Sequence, residues 1–206
     1  MIELVTTDGI FRLDGGEWEV TNNIWLVGDD REVIVIDAAH DATAIVGAVN
    51  GRRVAAIALT HGHNDHINAA GALADAVDAP ILLHPDDTML WDVVYPARRP
   101  DRWLAAGEVL RAGGVELGVL HTPGHSPGCC CFHAGDAGVV FSGDTLFCGG
   151  PGATGRSFSD FPTIVESIRR DLLTLPPETI VHTGHGDSTT IGAEAPNLEE
   201  WLRRGH

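Results

Sequence analysis

The segment His61-Gly62-His63-Asn64-Asp65-His66 constrains this chain most, because it carries four potential metal ligands within six residues. It follows the apolar run Val54–Leu59 and precedes apolar residues at helical spacing. The first two histidines share one face of an extended backbone, whereas the last two ligands begin the helix and point elsewhere. A catalytic zinc ion normally takes three protein ligands and keeps one position open. The segment therefore predicts two neighbouring metal ions that need further ligands from elsewhere.

Composition narrows the class of protein. The chain has 206 residues, a hydrophobic fraction of 44% and a formal net charge of −16. Such acidity argues against a nucleic-acid partner or an anionic membrane surface. The N-terminus shows no secretory signal pattern, and four cysteines do not make a disulfide framework. We therefore expect one cytoplasmic domain over residues 1–206, and no membrane partner.

The order of predicted elements is that of an α/β protein. A hairpin turning at Asp8-Gly9 is followed by strands alternating with helices, one of them capped by Asp41. The predicted strands are Ile2–Thr6, Ile10–Leu13, Ile24–Val27, Val33–Asp37, Val54–Thr60, Ile81–Leu83, Val115–His121, Cys129–Phe132, Val139–Ser142 and Thr179–His182. Pro85–Gly107 lacks a clear period, and the last helix spans Asn197–Arg204.

Four apolar strands each run into a glycine-containing turn with a potential ligand. The first leads to His61, His63, Asp65 and His66, and the others lead to His125, Asp144 and His185. Sites in open α/β sheets collect at the carboxyl ends of strands. A workable division assigns His61, His63 and His125 to one metal, and Asp65, His66 and His185 to the other. Asp144 can bridge the two, and a hydroxide between them would attack an acyl carbonyl.

These motifs resemble the metallo-β-lactamase superfamily, nearest to its glyoxalase II-like branch. The matching pieces are Thr60–His66, Thr-Pro-Gly-His125-Ser-Pro-Gly, Ser-Gly-Asp144-Thr-Leu-Phe and Thr-Gly-His185-Gly. The resemblance implies an αββα sandwich with a dinuclear site at one edge. It also implies the ligand sets above, with Asp65 and Asp144 as catalytic carboxylates. The cofactors would be two divalent ions, most often Zn²⁺, with iron or manganese in some relatives.

Departures from the family pattern bear on the substrate. The chain has no lysine, and it ends soon after His185, without the basic C-terminal region by which glyoxalase II binds glutathione. We expect hydrolysis of a small-thiol thioester, with mycothiol as a candidate thiol because the composition resembles that of a GC-rich actinobacterium. The alternatives are a mononuclear iron persulfide dioxygenase, a lactone or ester hydrolase, and a non-catalytic metal-binding module. The oligomeric state stays open.

Substrate contacts are expected from two segments. In Pro85–Gly107, aromatic residues could give apolar contacts and arginines could hold a carboxylate; a solvated surface loop is the equal alternative. Arg156, in the glycine-rich loop after Asp144, is a second anion-binding candidate. The candidates in the first segment are Trp91, Tyr95, Arg98, Arg99, Arg102 and Trp103.

We do not expect metal binding by Asp37, the remaining histidines or the cysteines. Asp37 is expected to support the site without binding metal, and His40 to lie on a surface loop. Cys129–Cys131 should be buried, and Cys148 could face the pocket. His84, His121, His133 and His182 are expected in the core or behind the ligands, and the terminal His206 to be disordered.

Overall fold

The computed structural model describes residues 1–205. Its first sheet contains β1 to β6 in sequential order, with β3 to β6 parallel to one another. The strands are β1 (Ile2–Leu13), β2 (Gly16–Gly28), β3 (Glu32–Ile36), β4 (Arg53–Ala58), β5 (Ile81–Leu83) and β6 (Arg102–Trp103). Successive strands therefore end at the same edge from β3 onward, which is the edge that leads into His61.

The second sheet has the order β14-β13-β10-β9-β8-β7, and β11 pairs with β12 separately. Only β10 and β13 run parallel in it, which brings their carboxyl ends together. The strands are β7 (Val109–Ala112), β8 (Val115–His121), β9 (Cys130–Ala134), β10 (Val139–Gly143), β11 (Leu146–Phe147), β12 (Gly150–Pro151), β13 (Ile180–Thr183) and β14 (Thr189–Thr190).

Helices cover the outer faces of the two sheets. They are α1 (Ala42–Val49), α2 (Asn64–Ile67), α3 (Ala70–Val77), α4 (Thr88–Val94), α5 (Phe161–Ser167), α6 (Ile191–Glu194) and α7 (Leu198–Arg204). Short 3₁₀ turns span Pro85–Asp87, Gly135–Ala137 and Ala195–Asn197, and α5 continues as a π-helical segment, Ile168–Leu172. Asp41 caps α1 as predicted, accepting hydrogen bonds from Thr43 N and Ala44 N.

Three apolar clusters hold these layers together. One joins the first sheet to α1 and α3, for example through Ile57 and Leu73. The second lies between the sheets and contains Ile34 and Phe141. The third packs Trp201 and the π-helical segment on the second sheet. Burial of apolar surface on both faces of both sheets yields four layers, so the predicted αββα architecture is confirmed.

The predicted hairpin turn at Asp8-Gly9 is wrong. β1 continues through these residues, and the chain reverses at Asp14-Gly15, where both residues have positive φ, as a type I′ turn requires. Gly9 has another role: a Cβ there would lie 2.1 Å from the His40 ring. The correct turn carries the hairpin tip beyond the sheet edge and over the histidine-rich segment.

The predicted burial of Cys129–Cys131 is confirmed. Cys130 lies between the sheets and Cys131 faces the outer helical layer, while Cys129 is buried just before β9. Burial raises the pKa of all three thiols. Cys148 is exposed. His206 lies outside the described residues, and within residues 1–205 no helix is long and apolar enough to cross a membrane.

Candidate metal centre

Four strands deliver the seven predicted ligands to one edge of the sandwich. β4 leads to His61 and His63, and α2 then carries Asp65 and His66. The turn from β8 to β9 carries His125. Asp144 follows β10, and His185 follows β13. All but His185 are buried, and His185 is half-buried.

The first ligand set is a triangle of imidazole nitrogens. His61 Nε2 lies 3.0 Å from His63 Nδ1, which lies 3.0 Å from His125 Nε2. Three ring nitrogens at these distances cannot all be joined to one another by hydrogen bonds. Three ring nitrogens within 4.8 Å of one another can instead bind a single zinc-type cation, which takes such ligands. The structure therefore brings together the first predicted set.

The second set combines a carboxylate with two histidines. His66 Nε2 lies 3.2 Å from His185 Nε2, and Asp65 Oδ2 lies 3.5 Å from the first of these nitrogens and 3.3 Å from the second. Two nitrogens and one oxygen suit the same class of divalent ion. The structure thus places the second predicted set beside the first.

Asp144 lies between the two sets. Its Oδ2 is 3.6 Å from His125 Nε2 in the first set and 3.5 Å from His185 Nε2 in the second. Its Oδ1 is 3.3 Å from His66 Nε2. A single carboxylate can therefore reach both positions.

Hydrogen bonds orient the histidine rings from behind. His66 Nδ1 lies 2.8 Å from Asp37 Oδ2, and His61 Nδ1 lies 3.1 Å from Thr60 Oγ1, which donates to the same Asp37 carboxylate. The Nδ1 atoms of His125 and His185 each lie 2.8 Å from a backbone carbonyl oxygen. When Nδ1 carries the proton, Nε2 presents its lone pair to the centre. Asp37 thus supports ligands of both sets and has φ of 62°, a region that non-glycine residues seldom occupy.

Unpartnered polar atoms test whether these residues fit a metal. In residues 1–205, buried side-chain atoms without a hydrogen-bond partner include His63 Nε2, Asp65 Oδ1 and Asp144 Oδ1. Native proteins rarely leave a buried carboxylate oxygen unsatisfied. Cations at the two sets would satisfy these carboxylates, so the residues present fit a pair of divalent ions.

The pKa shifts describe the same arrangement electrostatically. Burial lowers the pKa of His61 well below its ordinary value and that of His63 to about 3, so both keep their lone pairs. Burial acts in the same direction on His66 and His185, but the carboxylates outweigh it, raising His66 well above its usual pKa and His185 to about 10. Metal binding must therefore displace protons at the second set.

Two glycines allow the ligands to approach one another. A Cβ at Gly184 would lie 2.3 Å from Asp144 Oδ1 and 2.8 Å from His66 Cε1. A Cβ at Gly143, which has φ of 49°, would lie 2.6 Å from the Thr60 side chain. A side chain at Gly143 would push the second sheet away from the first, and one at Gly184 would displace Asp144 and His66.

Sequence and structure comparisons agree with this geometry. Residues 18–185 match the family model of the metallo-beta-lactamase superfamily. The chain belongs to the metallo-β-lactamase superfamily. It is 34% identical over 186 residues to hydroxyacylglutathione hydrolase GloC of Haemophilus influenzae, an alignment covering 83% of this chain and 87% of that protein.

Solved structures of this superfamily match over most of the chain. The BLEG-1 B3 metallo-beta-lactamase gives a TM-score of 0.80 at 30% identity, covering 95% of this chain and 99% of that one. The structure of TTHA1623 in a di-iron-bound form gives a TM-score of 0.76 at 38% identity, covering 85% of this chain and 93% of that one. Together with the ligand clusters, these matches indicate a hydrolase-type metal enzyme of the superfamily.

A cavity of about 410 Å³ opens onto both ligand sets of this superfamily site. The hairpin of β1 and β2 supplies one wall, and the loop after Asp144 supplies the other. The Arg156 guanidinium lies 3.8 Å from the centroid of the Trp18 ring at this mouth. The lining residues are Phe11, Trp18, Val20, Thr21, His63, Asp65, His125, Asp144, Phe147, Ala153, Arg156 and His185. Arg156, the predicted anion-binding candidate, therefore lies at the mouth of this cavity.

A second cavity, of about 420 Å³, reaches His63 from the other side of the hairpin tip. Its walls include Leu13 from the hairpin, Leu90, Val93 and Val94 from α4, and Phe158. Val93 is 80% exposed and Phe158 is 53% exposed, although both are apolar. The two cavities therefore adjoin the same metal ligand.

The structure does not bring the six substrate-contact candidates of Pro85–Gly107 to the site. Trp91, Tyr95, Arg98, Arg99, Arg102 and Trp103 do not line either of these two cavities. Trp91 is fully buried and stacks on Tyr95, whose hydroxyl donates to Ile67 O. Arg98, Arg99 and Arg102 pair with Asp75, Asp92 and Glu108. Trp103 is exposed on edge strand β6. The segment reaches the site through the aliphatic face of α4 instead.

Asn22 is a buried residue beside the centre that the sequence did not indicate. Its Nδ2 donates to Asp65 Oδ2 at 3.1 Å, and its Oδ1 lies 2.9 Å from His40 Nε2. His40 is therefore partly buried and linked to the second ligand set, where a surface loop was expected. No local pattern marks Asn22, which lies in β2 opposite Thr7 in the observed hairpin register.

The other histidines lie behind or away from the centre. The His84 and His121 rings stack at 4.0 Å, and His182 stacks on Trp25 at 4.0 Å. His133 is part of β9, partly buried. None of the four belongs to the two ligand sets.

Proposed function

We propose that the protein is a dinuclear metal hydrolase that cleaves a thioester of a small thiol with water, releasing a carboxylic acid and the thiol. The observation that carries this proposal is Asp144, whose Oδ2 lies within 3.6 Å of a histidine from each ligand set. A site for one ion would not need a carboxylate between two complete sets.

The residues divide the work of such a reaction. His61, His63 and His125 would hold one ion, Asp65, His66 and His185 the other, and Asp144 both. When bound, two divalent ions lower the pKa of water toward roughly 7 and polarise a carbonyl group. Asn22 and Asp37 hold Asp65 and His66 in place by hydrogen bonds. Zn²⁺ suits these nitrogen and oxygen ligands, and iron or manganese are the other candidates.

The two cavities beside His63 support a substrate with two arms. A thioester carries an acyl group on one side of its carbonyl and a thiol carrier on the other. One cavity contains Arg156, which could pair with a carboxylate of the carrier or the acyl group. The other has an apolar wall, formed by Leu90, Val93, Val94 and Phe158, which faces the charged hairpin tip and would take an apolar part. GloC, a relative named for hydroxyacylglutathione hydrolysis, makes acyl-glutathione a reasonable first substrate, with acyl-mycothiol beside it.

The test is metal content combined with a substrate panel. We expect two metal ions per chain and turnover of an acyl-glutathione or acyl-mycothiol. Asp144→Ala should lower both the metal content and the turnover, while the exposed control Asp136→Ala should leave both unchanged. A two-metal protein that hydrolyses lactones or simple esters but no thioester would contradict the proposed substrate class. One iron per chain would instead favour the persulfide dioxygenase alternative.

A further inference from the structure

Asp87 is a fully buried carboxylate that belongs to neither ligand set. It ends the 3₁₀ turn before α4. Both of its oxygens accept hydrogen bonds: Gly62 N donates to Oδ2 at 2.7 Å, Ser126 Oγ donates to Oδ2 at 2.7 Å, and Gly128 N donates to Oδ1 at 2.6 Å. A buried charge with three donors is a satisfied one, so its cost of burial is compensated.

The three donors come from two different ligand turns. Gly62 lies between His61 and His63, whereas Ser126 follows His125 directly and Gly128 ends the same turn. Asp87 therefore joins the turn of the first sheet to the turn of the second sheet. These are the two turns that together supply the three-histidine set.

Asp87 makes these contacts in place of a common local one. It occupies the N-cap position of α4, where an aspartate usually accepts a hydrogen bond from the first turn of its own helix. Its side chain makes no such bond. The carboxylate is directed to the ligand turns instead.

The packing around Asp87 is specific as well. A Cβ on Gly62 would lie 3.1 Å from Asp87 Cβ, and a Cβ on Gly128 would lie 2.7 Å from Asp87 Cγ. Both turns thus approach the aspartate as closely as glycine allows. Burial raises the pKa of the Asp87 carboxyl, and its three donors act in the opposite direction.

We propose that Asp87 is a positioning residue that sets the distance between His61/His63 and His125, and thereby the affinity and geometry of the three-histidine metal position. The proposal rests on the metal centre of the proposed function, but not on its substrate. Removal of a group that orients metal ligands typically weakens metal binding about 10- to 100-fold.

The test is cobalt(II) binding by the metal-free full chain, followed by absorption spectroscopy and competition with a chelator. In Asp87→Asn, an amide NH₂ group replaces one of the two accepting oxygens and must face a hydrogen-bond donor. We therefore expect the affinity of one cobalt position to fall about 10- to 100-fold and the visible spectrum of that cobalt ion to change. The other position should keep its affinity. Binding of fewer than two cobalt ions by the wild-type chain would contradict the metal centre itself, separately from this proposal.

Glu194→Gln is the matched control. Glu194 is also a buried carboxylate, and it accepts hydrogen bonds from Gly149 N and Thr189 Oγ1, neither of which belongs to the two turns that Asp87 joins. Both variants should lower the unfolding temperature, but only Asp87→Asn should change the cobalt spectrum. Unchanged cobalt affinity and spectrum in folded Asp87→Asn would overturn the proposal. If that variant does not fold, Ser126→Ala, which removes one donor, decides it: a wild-type spectrum and affinity would overturn the proposal, and a weaker cobalt position would support it.

Discussion

The Arg156 guanidinium stacks 3.8 Å above the Trp18 ring, and this pair joins the β1–β2 hairpin to the loop after Asp144. Ser157 N donates to Asp14 Oδ2 at 3.0 Å and links the same two segments at the hairpin turn. The stacked ring restricts the guanidinium but leaves its N–H groups free to face the cavity. A flexible surface arginine is thereby fixed at the mouth of the site.

The substitution Arg156→Ala should therefore lower the activity on a negatively charged substrate more than the activity on a neutral one. A charge-assisted hydrogen bond contributes about 1.5–3 kcal/mol, so kcat/KM should fall roughly 10- to 100-fold for a thioester bearing a carboxylate. It should change little for a neutral thioester. Steady-state kinetics on such a pair measures this, with Arg99→Ala as control because Arg99 pairs with Asp92 outside the cavity. An equal loss on both substrates would argue against anion binding.

Trp91→Ala should destabilise the fold without changing the chemistry. The side chain is fully buried, and its Nε1 donates to Arg98 O at 2.7 Å. Truncation of a buried tryptophan costs about 3–5 kcal/mol in the free energy of unfolding. Urea denaturation should show this loss, whereas Trp103→Ala, at a position 42% exposed, should stay within about 0.5 kcal/mol. A large fall in kcat/KM of folded Trp91→Ala would restore a substrate role for this residue.

Gly184→Ala should disturb the metal centre directly. The added methyl group would lie 2.3 Å from Asp144 Oδ1. Because a displacement of about 1 Å can lower turnover roughly 100-fold, we expect at least that loss and a lower metal content. Gly47→Ala, on the open face of α1, is the matched control and should stabilise the helix by up to about 1 kcal/mol. Wild-type metal content and turnover in Gly184→Ala would contradict the close approach.

His182 should make stability depend on pH. Burial against Trp25 lowers its pKa to about 4, below the unfolded value of about 6.5. A lowered histidine pKa favours the folded state fully above pH 6.5, and this contribution is lost as the pH falls toward 4. In the metal-free protein, the unfolding free energy of the wild type relative to that of His182→Phe should therefore decline as the pH falls from about 6.5 to about 4. Parallel pH profiles of the unfolding free energy would show that His182 does not titrate as expected.

Local sequence patterns were sufficient for much of the fold. The Asp41 cap, the strands Ile81–Leu83 and Val115–His121, and the final helix were predicted within a residue or two, because each is encoded by neighbouring residues. The predicted position of the hairpin turn was wrong because Asp8-Gly9 and Asp14-Gly15 are equivalent turn signals locally. In the structure Gly9 lies inside β1 and packs closely against His40, a distant residue, and such a contact is not recorded in the local turn signal.

The supporting residues were harder to predict than the ligands. Asp37 could be singled out because it follows a buried strand, but Asp87 and Asn22 sit in no recognisable pattern. For the aromatic and arginine residues of Pro85–Gly107, composition favours substrate contact and a solvated surface loop equally, and it does not distinguish a buried Trp91 from an exposed one. The extent of the domain, the thiol carrier and the metal identity stay predictions.

The sequence by itself determined the kind of site, a metal centre with two ligand sets, because seven ligands of suitable chemistry follow four strand ends, and strand direction brings those ends to one edge. Only the tertiary structure decided what surrounds them. Trp18 and Arg156 meet across segments more than a hundred residues apart in the chain, and Asp87 contacts turns from both sheets. Such contacts depend on how two sheets pack, and that depends on burial summed over the whole core, which no local pattern records.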